Sequence, residues 1–345
     1  MARLNTDIRR FDGPNSGFKH HGEIGCFSLD ITREFQDDTR QRKYFIKPSN
    51  YNNVRFDLTK GYEGMVKRDE YKNEQLDHIL KWIRIHEQRI TQIDFICDRS
   101  LLKRLLSTLY TRKEDWKFAV TLHNGTYYLC DYHTNQKLEL KQQMMGGKDE
   151  EMCAWGFKFE QYLTASSKDS VPNPDLQYNN CEAFYTVVKS QVGAHTLVYC
   201  GEVDAVPVNP DGSMGEHYVE FKTTSHSSLQ RGSFKRFKLL KWWTQSVLAD
   251  VPEIVCGLRN DAGIVTKLQT YKTQHLPTMA GDIPDPWRPN VCWNFLDHLL
   301  AFIKSNVKID DPRLVHLLEF SGGNITCTRL PPDSKYTFLH KWYTQ

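Results

Sequence analysis

The stretch Cys200–Thr224, CGEVDAVPVNPDGSMGEHYVEFKTT, places Glu202 and Asp204 two residues apart and, beyond a loop rich in turn formers, Glu220 and Lys222 two residues apart again. Side chains in an extended strand alternate between faces, so each pair shares one face of its strand. The flanks TLVYC and HYV are apolar, which marks both strands as deeply placed, where an unpaired carboxylate is costly. If the two strands pair as a hairpin, all four side chains converge. Three carboxylates crowded in this way repel one another unless a cation sits among them, and hard divalent ions such as Mg²⁺ or Mn²⁺ take oxygen ligands of this type. A lysine two residues from such a glutamate is placed to steady an attacking water or the charge growing on a phosphoryl oxygen. Either pair alone reads better as the wet face of an amphipathic strand. Their joint occurrence between apolar flanks defines a candidate site.

Bulk properties narrow what surrounds it. With 345 residues the chain is long enough for one large domain or two. It has no repeat, no low-complexity tract and no Pro-rich or Ser/Gly linker, so one domain over residues 1–345 is expected, with residues 1–24 a candidate flexible segment. The segments 165–175 and 207–217 are dense in turn formers but short enough to be surface loops. A net charge of +3 from 45 basic and 42 acidic residues is too balanced to signal nucleic-acid binding in bulk, so any basic surface must be local. The charged N-terminus lacks the apolar core of a signal peptide and no apolar run is long enough to span a membrane, which predicts a soluble intracellular protein. Nine scattered cysteines without a C-x-x-C pair fit reduced thiols better than a disulfide framework or a zinc site.

Periodicity predicts a mixed α/β (α+β) chain with a central sheet. Leu76, Ile79, Leu80 and Ile83 fall at helical spacing within residues 70–86, as do Trp293, Leu296, Leu300 and Ile303 further on. Between them, WKFAVTLHNGTYYLCDY carries an Asn-Gly hairpin signal at 124–125, and TLVYCGEVDAV, HYVEFKT and EIVCGLRNDAGIVTKLQTY read as strands. In MCAWGFKFEQYLTA, Met152, Trp155, Phe159 and Leu163 form a helical core stripe with Glu160 at its margin, a further source of carboxylate. RGSFKRFKLLKWWTQSVL interleaves basic and aromatic residues, and helical spacing sets Lys238, Lys241 and Gln245 on neighbouring turns. This helix is the expected local basic surface, suited to a phosphate backbone.

The strings GCFSLD, LDHILKWI, GFKFEQY, GEVD, YVEFKT, KLLKWWTQS and DDPRLVHL make the chain resemble the DXO decapping exoribonuclease family from about Gly25 to Tyr343. The resemblance implies a core like that of PD-(D/E)XK nucleases. It also implies a metal-dependent enzyme that removes incomplete, unmethylated or NAD caps from RNA 5′ ends, converts 5′-triphosphate to monophosphate ends and degrades the product 5′-to-3′. Carried over residue by residue, Glu160, Glu202, Asp204 and Glu220 are the expected acids for one or two Mg²⁺ or Mn²⁺ ions, with the Phe221 carbonyl as a further ligand. Lys222 and Gln245 are expected at the scissile phosphate or its water, Arg99 near the RNA, and Arg33 and Glu74 at peripheral substrate contacts. Ser100 stands where relatives often have glycine, which puts the local shape near Arg99 in question, and Ala205 stands where cysteine is common. Two other readings remain open: an enzyme that stops after removing the 5′ group, and a non-catalytic partner of a larger 5′-to-3′ exoribonuclease, against which the intact acids argue. A nuclear location is favoured over a cytoplasmic one.

Overall fold

The computed structural model describes residues 1–345. In chain order the strands are β1 (Ala2–Asn5), β2 (Phe18–Leu29), β3 (Phe35–Gln36), β4 (Tyr44–Phe45), β5 (Phe56–Asp57), β6 (Phe95–Asp98), β7 (Trp116–His123) and β8 (Thr126–Tyr132). They continue with β9 (Thr164–Ala165), β10 (Ala183–Val192), β11 (His195–Glu202), β12 (Val206–Pro207), β13 (Val219–Ser225), β14 (Glu253–Arg259), β15 (Ile264–Lys272), β16 (His316–Ser321) and β17 (Asn324–Arg329). The α-helices are α1 (Asp77–Ile85), α2 (Arg99–Ser107), α3 (Asn135–Met144), α4 (Lys148–Leu163), α5 (Leu239–Leu248), α6 (Leu276–Met279), α7 (Pro289–Asn306) and α8 (Lys341–Thr344). None is long and apolar enough to cross a membrane.

The strands form a ten-stranded sheet in the order β1-β17-β16-β7-β8-β6-β11-β10-β2-β3, a four-stranded sheet β13-β14-β15-β5 and a small sheet β12-β4-β9. At the centre of the large sheet, β6 runs parallel to both β8 and β11 and feeds directly into α2. Strand alternation then divides the core. Phe95 and Cys97 of β6 join Leu197 and Tyr199 of β11 against α2, α5 and α7, while Ile96, Val198 and Cys200 face the opposite cluster around α1. The four-stranded sheet is covered on both faces. Val219, Phe221 and Val255 pack on Trp155, Phe159 and Leu163 of α4, and Ile254 and Cys256 join the cluster that holds α5.

The expected helices and hairpins form with local differences. Trp293, Leu296, Leu300 and Ile303 are buried on α7. The 70–86 helix begins only at Asp77, because Gln75 takes a left-handed backbone (φ 51°), yet Leu76, Ile79, Leu80 and Ile83 are all buried. Asn124 and Gly125, both at positive φ, turn β7 into β8. Residues 1–24, set aside above as a candidate flexible segment, supply β1, which pairs with β17, and the start of β2. Ser100 sits in the first turn of the regular helix α2, and Ala205 is buried beside β13.

The hairpin expected between the two acidic strands does not form. β11 lies inside the large sheet between β6 and β10, whereas β13 is the edge of the four-stranded sheet and pairs in parallel with β14. The backbone pairing between the two segments is confined to the single bridge between Ala205 and Val219. Asp204 also lies beyond the end of β11, so the convergence occurs where two sheets meet.

Candidate active site

Alternation along β13 turns Val219 and Phe221 toward α4, and therefore turns Glu220 and Lys222 toward α5. Gln245 of α5 meets them there. Glu220 Oε1 accepts from both the Lys222 ammonium and the Gln245 amide, and Gln245 Oε1 lies 3.4 Å from Lys222 Nζ and 3.4 Å from Lys103 Nζ. Two ammonium groups on one side and a carboxylate on the other fix the orientation of the amide. Asp204 reaches the same floor, and its Oδ2 accepts from the Phe221 N–H at 2.6 Å. The Phe221 ring is committed to the core beside Phe45 and Phe159, so what this residue offers the cleft is backbone.

Glu160 arrives on α4, whose seat depends on Gly257 of β14. A Cβ at Gly257 would come within 2.6 Å of the Phe159 ring, so the missing side chain lets the helix approach the sheet. Burial pushes Glu160 up to about 7, aided by the charges of Glu202 and Glu220 and opposed by Lys43. Asp204 is raised well above the usual carboxylate range by burial and by Glu220 and Glu160. For Lys222, burial works against the charged form, but Glu220, Asp204 and Glu160 outweigh it and hold the ammonium above its ordinary value. One buried cation faces a surplus of anionic groups.

This donor set fits a hard divalent cation: every donor is oxygen, and the acids are destabilised by one another's charge. The fit is not preformed. Glu220 Oε1 is engaged by Lys222 and Gln245, and no three acidic side chains already share a point at ligand distance. The convergence expected from the sequence is thus one of neighbouring acids, with Lys222 and Gln245 as the present counter-groups of Glu220.

Arg99 opens α2 with its side chain across Gly201, where a Cβ would stand 2.6 Å from Nε. Its Nη2 donates to the Glu202 carbonyl, while Nη1 is buried with no partner and the residue lines the cleft. The other two expected substrate contacts hold each other. Arg33 Nε and Nη2 donate to the Glu74 carboxylate at 2.8 and 2.6 Å, and Nη1 donates to the Cys181 carbonyl at 2.9 Å. Glu74 lines the cleft and Arg33 lies behind it.

Glu160, Glu202, Asp204, Glu220, Phe221, Lys222, Gln245 and Arg99 all line one cleft of about 570 Å³. The basic helix face expected there turns elsewhere. Lys238 bonds Thr224 Oγ1 at 3.2 Å, Lys241 pairs with Glu114 at 2.7 Å, and neither lines the cleft; Gln245 alone of that trio does. The cationic wall comes instead from Lys103 and Arg104 on α2, Lys137 and Lys141 on α3, and Arg68, with His133 among them held neutral by burial and Lys137. Helical spacing identified neighbours in α5 but not the direction they face, and α3, whose Leu138 and Leu140 are exposed and which buries no residue, gave no periodic signal to single it out. Asp98 was also missed. It lines the cleft beside the Cys200 thiol, at 3.3 Å, and burial pushes it up to about 7.

A mixed sheet whose edge-strand E-x-K pair meets further carboxylates in a cleft places the protein among PD-(D/E)XK-type nucleases, and the family model "RAI1 like PD-(D/E)XK nuclease" matches residues 19–344. The chain is 37% identical to the human (Homo sapiens) decapping and exoribonuclease protein, over 99% of this chain and 89% of that protein. Two crystal structures share the fold: Scheffersomyces stipitis Rai1 in complex with (3′-NADP)⁺ and calcium ion (TM-score 0.83, 23% identity, 96% of this chain and 94% of that one), and Candida albicans Rai1 in complex with pU5 and Mn²⁺ (TM-score 0.79, 19% identity, 91% and 90%). The chain belongs to the RAI1-like PD-(D/E)XK nuclease family.

Proposed function

We propose that this protein is a hydrolase of RNA 5′ ends, removing incomplete, unmethylated and NAD caps, converting 5′-triphosphate to monophosphate ends and degrading the exposed RNA 5′-to-3′. The observation that carries the reading is the floor of the cleft, where buried acids, Lys222 and Gln245 face a wall of cations. Its residues come from α2, α4, β11, β13 and α5, which supports reading residues 1–345 as one catalytic unit. The names of the relatives, and the dinucleotide and oligonucleotide held by two of them, support this substrate class.

Glu160, Glu202, Asp204, Glu220 and the Phe221 carbonyl would hold one or two Mg²⁺ or Mn²⁺ ions, which supply water activation and charge neutralisation at phosphorus. The chain's own groups do the rest. Lys222, held charged by the acids, offers an ammonium to the oxygen on which charge develops. Gln245 ties Lys222 to Glu220 and limits the rotamers of both. Arg99 lines the cleft with a guanidinium whose Nη1 is buried and unpartnered, which favours an anionic ligand there.

The purified protein, incubated with Mg²⁺ or Mn²⁺ and RNAs bearing monophosphate, triphosphate, unmethylated-cap or NAD-cap ends, is expected to act on all four. Monophosphate RNA accumulating from the other three, shortened by no more than the nucleotide released with a cap, would restrict the activity to the 5′ group. No change in any substrate would refute the hydrolase reading.

A further inference from the structure

We propose that Lys103 and Lys137 form a phosphate track along which the body of the RNA leaves the catalytic floor, running from the carboxylates past α2 toward α3. The inference rests on the RNA-hydrolase reading and adds a direction to it. Most cations of the cleft are spoken for. Arg68 pairs with Glu70 at 2.7 Å, Lys141 reaches the Glu70 carbonyl at 2.6 Å, Arg104 pairs with Asp131, and Lys222 pairs with Glu220. Lys103 has no carboxylate within pairing distance, and its one polar contact is Gln245 Oε1 at 3.4 Å. Lys137 uses its backbone N–H to cap on Thr134, while its ammonium has neither hydrogen bond nor ion pair.

Both side chains are half-buried in the cleft wall, where water replaces a partner poorly. Burial, with Lys222 and Arg99, pushes Lys103 down to about 8, and burial, with Arg104, does the same to Lys137. Each ammonium is therefore held at a cost that an anion would relieve. They stand in order along the wall. Lys103 lies one helical turn beyond Arg99 and touches the Gln245 that holds Lys222, while Lys137 shares its surroundings with Arg104, the next residue after Lys103. Two unpaired cations placed one after the other away from a hydrolytic floor match the successive charges of a nucleic-acid backbone better than one compact anion.

The test compares 5′-monophosphate dinucleotide with long 5′-monophosphate RNA, reading both hydrolysis and the salt dependence of equilibrium binding. Lys137→Ala is expected to weaken binding and kcat/KM for the long RNA about tenfold and to lower its salt slope by about one, with the dinucleotide unchanged. Lys103→Ala is expected to weaken both substrates, and Lys137→Arg to retain wild-type behaviour. Lys308→Ala, which removes an exposed lysine away from the cleft, should change neither. Equal losses on both lengths with Lys137→Ala, or an unchanged salt slope, would overturn the track. Wild-type protein that binds long RNA with this Lys137-dependent slope yet hydrolyses none would refute the proposed hydrolase and leave the track standing. Competition by an acidic polypeptide, with no RNA binding at all, would assign the lysines to a protein ligand and refute the track.

Discussion

At Glu220 a single carboxylate oxygen receives both the Lys222 ammonium and the Gln245 amide, in a residue that is 1% exposed. That geometry separates what its neighbours do. Asp204→Asn and Glu220→Gln keep size and hydrogen-bonding capacity but remove ligand charge, so both are expected to abolish metal-dependent turnover while thermal melting shows an intact fold. Near wild-type turnover in either variant would displace the metal site from these acids. Lys222→Ala is expected to lower kcat by about 10²-fold or more with a smaller effect on substrate binding, as loss of a transition-state contact does. A change confined to KM would make Lys222 a phosphate anchor. Gly201→Ala tests Arg99 without altering it. The added methyl must displace the guanidinium, so RNA binding should fall and its salt slope should flatten in the manner of Arg99→Ala.

At the scale of elements, α4 carries Glu160 to the site only because Phe159 can lie on Gly257. Gly257→Ala is expected to cost about 1–3 kcal/mol by overpacking and to lower activity by shifting Glu160, seen as a lower Tm together with weaker metal binding. A lower Tm with unchanged metal affinity would show that the helix keeps its register. The same elements show what was legible beforehand. The pairs Glu202/Asp204 and Glu220/Lys222 stood out because a period of two needs only local sequence, and the stripe of Trp155, Phe159 and Leu163 placed Glu160 at a core margin for the same reason. The partners of the strands were not legible. β13 pairs with β14 across the whole of α5, and β11 takes β6 from far upstream, so no local pattern announces either neighbour. Lys238 and Lys241 had the right spacing and the wrong direction, because the apolar face of α5 is fixed by Leu239, Leu240, Trp242 and Trp243 packing with α2 and α7.

For the whole molecule, the buried acids make stability depend on pH and metal together. Glu160 has its folded pKa raised from 4.5 to about 7, so the folded state binds more protons than the unfolded one across that interval. Metal-free protein should therefore lose stability as pH rises from about 5 to about 7, and Mn²⁺ should raise the Tm more at the upper end, where it no longer competes with protons. A Tm shift by Mn²⁺ that is independent of pH would place the ion away from Glu160. The cleft also makes a prediction about the bond cut. If one floor serves both cap removal and stepwise degradation, the attacked phosphorus lies between the first and second transcribed nucleotides, and the bridge of the cap stays whole. The most direct test is the identity of the first product from RNA labelled in an unmethylated cap, with Asp204→Asn as control. The account predicts intact GpppN and a 5′-monophosphate RNA, both absent with the variant; GDP or GMP as the main first product would contradict it.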